Sequence, residues 1–256
     1  MVPPWVPAVG DEPGGPAATA PQQPDQPQPP VQIAPPGRFR AARRDIGVFV
    51  STGSVGALRR SLGHYVKSGY GGSGTAARRL GNTVSTARAL HSVLSGLATG
   101  QADLAAIQSA VLAGASADEV LDAVVQAVRP VDGTQDADAN RAAVRDSLTE
   151  LLNQYPDADL LNLNEEQKTF ATEQFVAFDV FQRLQLDLGK TIQDRAPSVV
   201  EALSRLREVL DYVRESVSAS FRKLRIGGVR ITATTVSSVV KAAIQDTVEV
   251  FEGYVR

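Results

Sequence analysis

The sequence predicts an all-α protein, a multi-helix bundle over residues 38–256 preceded by a disordered, proline-rich N-terminal arm over residues 1–37. Three observations predict it. Twelve of the fifteen prolines lie in residues 1–37. From Arg38 onward the apolar residues recur at three- and four-residue intervals, the period of a helix with one buried face. Aromatic residues make up only 5% of the chain, so Ala, Leu and Val supply most of its 43% hydrophobic content. That mix suits close helix packing better than a sheet core.

The arm comes first. Pro21-Gln22-Gln23-Pro24-Asp25-Gln26-Pro27-Gln28-Pro29-Pro30 is a low-complexity run. Each proline removes a backbone donor and extends the residue before it, so the run is expected to be disordered or polyproline II. Composition alone reads as a spacer. Against that reading, Val2-Pro3-Pro4-Trp5 holds the only Trp of the chain. A lone Trp in a flexible arm is a candidate anchor for a partner groove, because it offers much area at little entropy cost.

The body is expected to divide into basic helices over 38–129 and a helical bundle over 137–256. Leu58, Leu62, Tyr65 and Val66 mark one helical face; Leu80, Val84, Ala87, Leu90, Leu94 and Leu97 mark another. Leu104, Ile107 and Val111 mark a shorter helix. Val120, Leu121, Val124, Val125 and Val128 mark a fourth, stopped by Pro130. Residues 131–140, polar with Gly133, read as a loop. Asn164 and Gln167 form an N-x-x-Q helix start. The helix they open carries Phe170, Phe178, Phe181, Leu184 and Leu188 on one broad face and Phe175 and Leu186 well off it; apolar on more than one side, it is expected to be central. After Pro197, the residues Leu203, Leu206, Leu210, Val213, Val217 and Leu224 suggest a heptad-like seam broken at Ser220. Gly227-Gly228 ends that helix. Val236, Val239, Val240, Ala243, Val248 and Phe251 line a last one. Ile231-Thr232-Ala233-Thr234 is too short and isolated to predict a sheet.

Several chemistries drop out. With no Cys, disulfides and thiolate chemistry are excluded. No secretory signal is visible and no run reaches the ~20 apolar residues of a membrane span, so a cytoplasmic protein with no membrane association is expected. His64 and His91 are the only histidines and show no metalloprotease spacing, so no metal or cofactor is expected. Gly69, Gly71 and Gly74 formally match the dinucleotide loop G-x-G-x-x-G. A helix precedes them where a strand is needed, so Gly69, Gly71, Gly72 and Gly74 read as a hinge between helices. Leu188-Gly189-Lys190-Thr191 resembles the end of a P-loop, but Leu184 stands where that loop's first glycine belongs.

Charge is uneven although the net is -2. Residues 38–91 carry Arg38, Arg40, Arg43, Arg44, Arg59, Arg60, Lys67, Arg78, Arg79 and Arg88 against Asp45 alone. The candidate basic patch is Arg43, Arg44, Arg59, Arg60, Lys67, Arg78 and Arg79. Such an excess serves phosphate, an acidic partner surface, or internal pairing with the acidic second half; pairing or a protein partner is the favoured expectation.

The stretch from Leu58 to Gly81, with its Gly69-Tyr70-Gly71-Gly72-Ser73-Gly74 core and Arg78-Arg79, resembles the QatB family of the Qat anti-phage defence system. Val2-Pro3-Pro4-Trp5, the proline-rich arm, Arg38-Phe39-x-x-Ala42-Arg43 and the segment from Leu160 to Gln167 resemble it too. The resemblance implies a bacterial immunity role beside a P-loop ATPase, a QueC-like enzyme and a TatD-like nuclease, with no catalysis by this subunit. It also implies that the extreme N-terminus is a substrate for joining to a 7-deazaguanine-type base. Family members carry a leader beginning Met-Gly before Val-Pro-Pro-Trp, whereas this chain begins Met1-Val2, so the resemblance places that modification on no residue present. The expected function is thus a non-catalytic subunit of a defence complex. The alternative is a helical nucleic-acid-binding module using residues 38–91. A hydrolase ranks last and requires carboxylates converging on His64.

Overall fold

In the computed structural model, the described residues are 37–99, 107 and 116–255. Residues 1–36 of the arm and the face at Leu104 and Val111 lie outside them; Ile107 is helical and buried. The described helices are α1 (Arg40–Thr52), α2 (Val55–His64), a π-helix (Tyr65–Gly69), α3 (Ser73–Arg79), α4 (Gly81–Thr99), α5 (Ala117–Val128), α6 (Gln135–Gln154), α7 (Glu165–Arg195), α8 (Val199–Ile226) and α9 (Val236–Gly253). No strand occurs among the described residues. The predicted all-α fold is the observed one.

The Phe-rich helix is central, as its two-sided pattern predicts. α7 has 31 residues, about 46 Å at the helical rise. Asn164 opens it with a full capping box: its side chain accepts from Gln167 N–H, and the Gln167 side chain accepts from Asn164 N–H. Four helices pack along it: α1, α4, α6 and α8. Every residue from Ala171 to Val180 is consequently buried. That run includes polar side chains, and each has a partner. Glu173 pairs with Arg225 at 2.7 Å and Gln174 accepts from Arg214 at 3.0 Å. Asp179, 0% exposed, accepts from Thr83 Oγ1 at 2.5 Å and from the Asn140 amide. Buried polar groups persist only where such bonds replace water.

α9 packs against α2, α3, α4 and α8, while α5 docks on α4 and α6. One contiguous apolar core runs from Phe39 to Phe251. Pro130 follows α5, and Gly228 adopts φ 81° after α8. No α-helix continues through that left-handed glycine. Ile231 anchors a turn before α9, in which Thr232 and Thr235 bond to one another.

Two details differ from the sequence expectation. The loop over 131–140 ends early, because Thr134 caps α6 by accepting from Ala137 N–H at 3.1 Å. The polar residues after it are helical; Asn140 faces inward to bond Asp179. The α8 seam also shifts. Leu203 is 62% exposed, whereas Ala202, Val209, Val213, Val217 and Phe221 are buried. Ser220 does not break the seam. It is buried, donates to Asp246 at 2.9 Å and lies 3.0 Å from Thr247 Oγ1. α8 packs against both α7 and α9, so its buried face follows the wider stripe of a globular helix rather than a coiled-coil seam.

Candidate functional site

The basic segment spreads over α1, α2, the π-helix, α3 and α4, and the structure sorts its charges into separate places. Arg43 Nε and Nη2 donate to the Asp187 backbone carbonyl of α7, at 3.3 and 3.1 Å. Lys67 donates to the Val255 carbonyl at 3.2 Å. Arg59 donates to Tyr212 Oη at 3.0 Å and faces the Tyr212 and Tyr254 rings. Arg44 pairs with Asp45. The basic side chains of the segment are thus tied to the second half through carbonyls and a phenol. Among the described residues, the only carboxylate in ion-pair range of this segment is its own Asp45.

Two clefts gather most of the remaining charge. One, of about 640 Å³, holds Arg38, Arg78 and Arg79 beside Asn82 and Asp136, with Arg183 and Asp187 of α7. The other, of about 680 Å³, holds Arg40, Arg43 and Arg44 with Asp194 and Arg195. Arg59, Arg60 and Lys67 lie outside both. Arg183 and Arg195 escape a reading of residues 38–91, because they arrive from the central helix. The signal for Arg183 is its place one turn after Asp179; Nε lies 3.7 Å from that carboxylate.

An aromatic knot supports the first cleft. The π-helix continues α2 directly, and the residues at its start and just past its end, Tyr65 and Tyr70, meet one carboxylate. Tyr65 donates to Asp187 Oδ2 at 2.9 Å, Tyr70 donates to the same oxygen at 3.3 Å, and the two hydroxyls lie 3.2 Å apart. Phe39 stacks on Tyr65 at 5.1 Å, with Tyr70 edge-on. Burial, above all, pushes both phenols above their ordinary pKa, and the Asp187 charge adds to it.

Of the four glycines, Gly69 closes the π-helix, Gly71 and Gly72 take φ of 78° and 104°, and Gly74 lies in α3. A Cβ on Gly69 stands 2.5 Å from Phe39 Cδ1 and nearer still to Cε1. Gly69→Ala therefore forces Phe39 off Tyr65. We expect it to cost about 1–3 kcal/mol, the range for overpacking a filled core, read as a lower urea midpoint at constant slope.

His64 Nε2 lies 3.6 Å from Asp45 Oδ2, the one described carboxylate in ion-pair range of it. The convergence a hydrolase needs is thus a single pair. His91 is buried, with Ser95 Oγ at 3.5 Å, and burial lowers its pKa. No group of three or more metal-ligating side chains occurs among the described residues, and no described helix is long and apolar enough to cross a membrane. Val2, Pro3, Pro4 and Trp5 lie outside the described residues.

Residues 71–251 match the model of a family described as Qat anti-phage system associated protein QatB. The match begins at Gly71, inside the stretch from Leu58 to Gly81 and after the arm. No curated protein and no solved structure matches.

Proposed function

Because the chain belongs to the QatB family, it is a component of the Qat anti-phage system, and we propose that within it the chain acts as a non-catalytic, cytoplasmic assembly subunit. Its arm, through Val2, Pro3, Pro4 and Trp5, engages the QueC-like enzyme, and its helical body docks the P-loop ATPase. A TatD-like nuclease completes the set.

The observation that supports a docking role for the body is the first turn and a half of α8. Val199 and Val200 are each 77% exposed and Leu203 is 62% exposed, on one side of the helix. Single exposed apolar residues are ordinary, but a cluster is the usual mark of a protein contact. Co-expression with the three other Qat proteins tests the reading. The intact chain should retain the ATPase and the QueC-like enzyme on purification. Arm deletion should release the QueC-like enzyme and abolish phage protection, and Val200→Asp with Leu203→Asp should release the ATPase. Protection undiminished by arm deletion, with neither partner retained by the intact chain, overturns it.

A second reading, a helical nucleic-acid-binding module, is supported by the exposure of Arg60, Arg78 and Arg79 without a carboxylate partner among the described residues. It requires binding that weakens steeply with salt and vanishes on charge reversal at Arg59, Arg60, Arg78 and Arg79.

A further inference from the structure

We propose that the cleft walled by α3, the start of α4 and α7 is a binding site for the phosphate group of a small organic phosphate. Four guanidinium groups converge there, from Arg38, Arg78, Arg79 and Arg183. Two carboxylates oppose them, and both are engaged. Asp187 already accepts from Tyr65 and Tyr70. Asp136 lies 3.5 Å from Arg183 Nη1. The cleft lining thus sets four cations against two carboxylates, with the buried Asp179 behind Arg183 as a third, so the cleft is net positive and suits a phosphate anion.

Arg183 supplies the sharpest chemical demand. Its side chain is 12% exposed; Nε lies 3.7 Å from the buried Asp179 carboxylate, beyond hydrogen-bond distance, and Nε and Nη2 are buried without a hydrogen-bond acceptor in the protein. A buried donor left unsatisfied is costly, and a guanidinium is shaped to bind phosphate through two oxygens at once. Arg38 is held in place by its neighbours, its guanidinium carbon 4.5 Å above the Phe39 ring and 5.7 Å from that of Tyr70. Arg78 and Arg79 stand at the end of α3 and are exposed. Gly81 and Asn82, the first residues of the 19-residue α4, border the same space.

The shape favours a small ligand over a polymer. A volume of about 640 Å³ lies within the range of small-molecule pockets. The most demanding donor sits within the recess rather than on a ridge. Arg59 and Arg60, which a strand of nucleic acid crossing the whole basic segment would need, lie elsewhere.

Calorimetric titration of the full-length protein at low salt, with inorganic phosphate and with adenosine monophosphate, tests the site. One site per chain is expected. Arg78→Ala with Arg79→Ala should weaken it at least tenfold. Arg60→Ala with Arg207→Ala, which removes two exposed arginines outside the cleft, should change it less than twofold. Both pairs lie on the surface, so folding is preserved and checked by the urea midpoint. Equal affinity for the two probes assigns the site to the phosphate group alone, and tighter binding of the nucleotide adds a contribution from its organic part; either supports the proposal. Absence of binding by both probes, equal losses in the two double variants, or binding only of a single-stranded oligonucleotide overturns it.

Discussion

Replacing Asp179 by Ala should lower the free energy of unfolding by about 3–5 kcal/mol, the cost of breaking a buried charge pair from one side. Asp179 is fully buried in the middle of the central helix. Its two oxygens take the Thr83 hydroxyl from α4 and the Asn140 amide from α6, and Arg183 approaches along α7. Three helices thus meet at one carboxylate. Alanine leaves the Thr83 hydroxyl and the Asn140 amide short of an acceptor and takes away the carboxylate nearest Arg183 Nε. Urea titration reads the loss as a lower midpoint at unchanged slope. A change within about 1 kcal/mol would mean that the contacts at Asp179 do not hold the helices together. Replacing Asp179, Thr83 and Asn140 together by apolar residues should recover much of the loss. The penalty comes from stranded partners more than from the value of the bonds themselves.

The same carboxylate sets a pH signature. Burial raises the Asp179 pKa above its ordinary value of 3.8, and the bonds from Thr83, the Arg183 charge and Asn140 pull it back only in part. For an acid whose folded-state pKa is raised, the stabilising contribution is fully present below the unfolded value. It is lost as pH rises through the folded value. The gap between the native protein and Asp179→Ala should therefore be wider near pH 3.8 than at pH 7. A gap that widens toward neutrality would require the Asp179 carboxylate to be stabilised in the fold rather than penalised.

What the sequence makes legible here is local. The capping box at Asn164 and Gln167, the stop at Pro130 and the glycine pair after α8 each lie within a few residues of what they control. Each is read correctly for that reason. The seam of α8 is different. Periodicity shows that a helix has an apolar side, but the neighbours decide which residues are covered. α8 packs chiefly against α7 and α9, so Val209 and Phe221 are buried where a single partner would have buried Leu203. The loop over 131–140 fails for a related reason. Its polar residues suggest solvent, yet Asn140 is polar because it serves Asp179, thirty-nine positions on. The basic patch is legible as a count and not as an arrangement. Arg43 and Lys67 end on backbone carbonyls, which every residue carries and no sequence pattern marks. Arg183 enters the cleft from a helix whose apolar pattern gives no reason to look there.

The phenylalanines of α7 turn this distinction into a measurement. Sequence periodicity puts Phe170, Phe178 and Phe181 on the shared face and Phe175 off it. A helix packed on one side would then lose more from truncating Phe170 than Phe175. The structure reverses the order. Phe175 is 0% exposed, whereas Phe178 and Phe181 retain 7% and 8%. Phe170, near the start of the helix, is only partly buried and packs edge-on against Tyr155 at 5.5 Å. Phe175→Ala should therefore cost about 3–5 kcal/mol, the range for a fully buried aromatic whose cavity cannot collapse. The surroundings are rigid because helices pack along α7 on several sides, so little relaxation is available. Phe170→Ala should cost clearly less, since part of its ring already faces water and the void can fill from solvent. Urea midpoints of the two variants decide the matter. The reverse order would make α7 an ordinary surface helix with one buried face, and the four-sided packing that joins Asp179, Arg183 and the arginine cleft would fall with it.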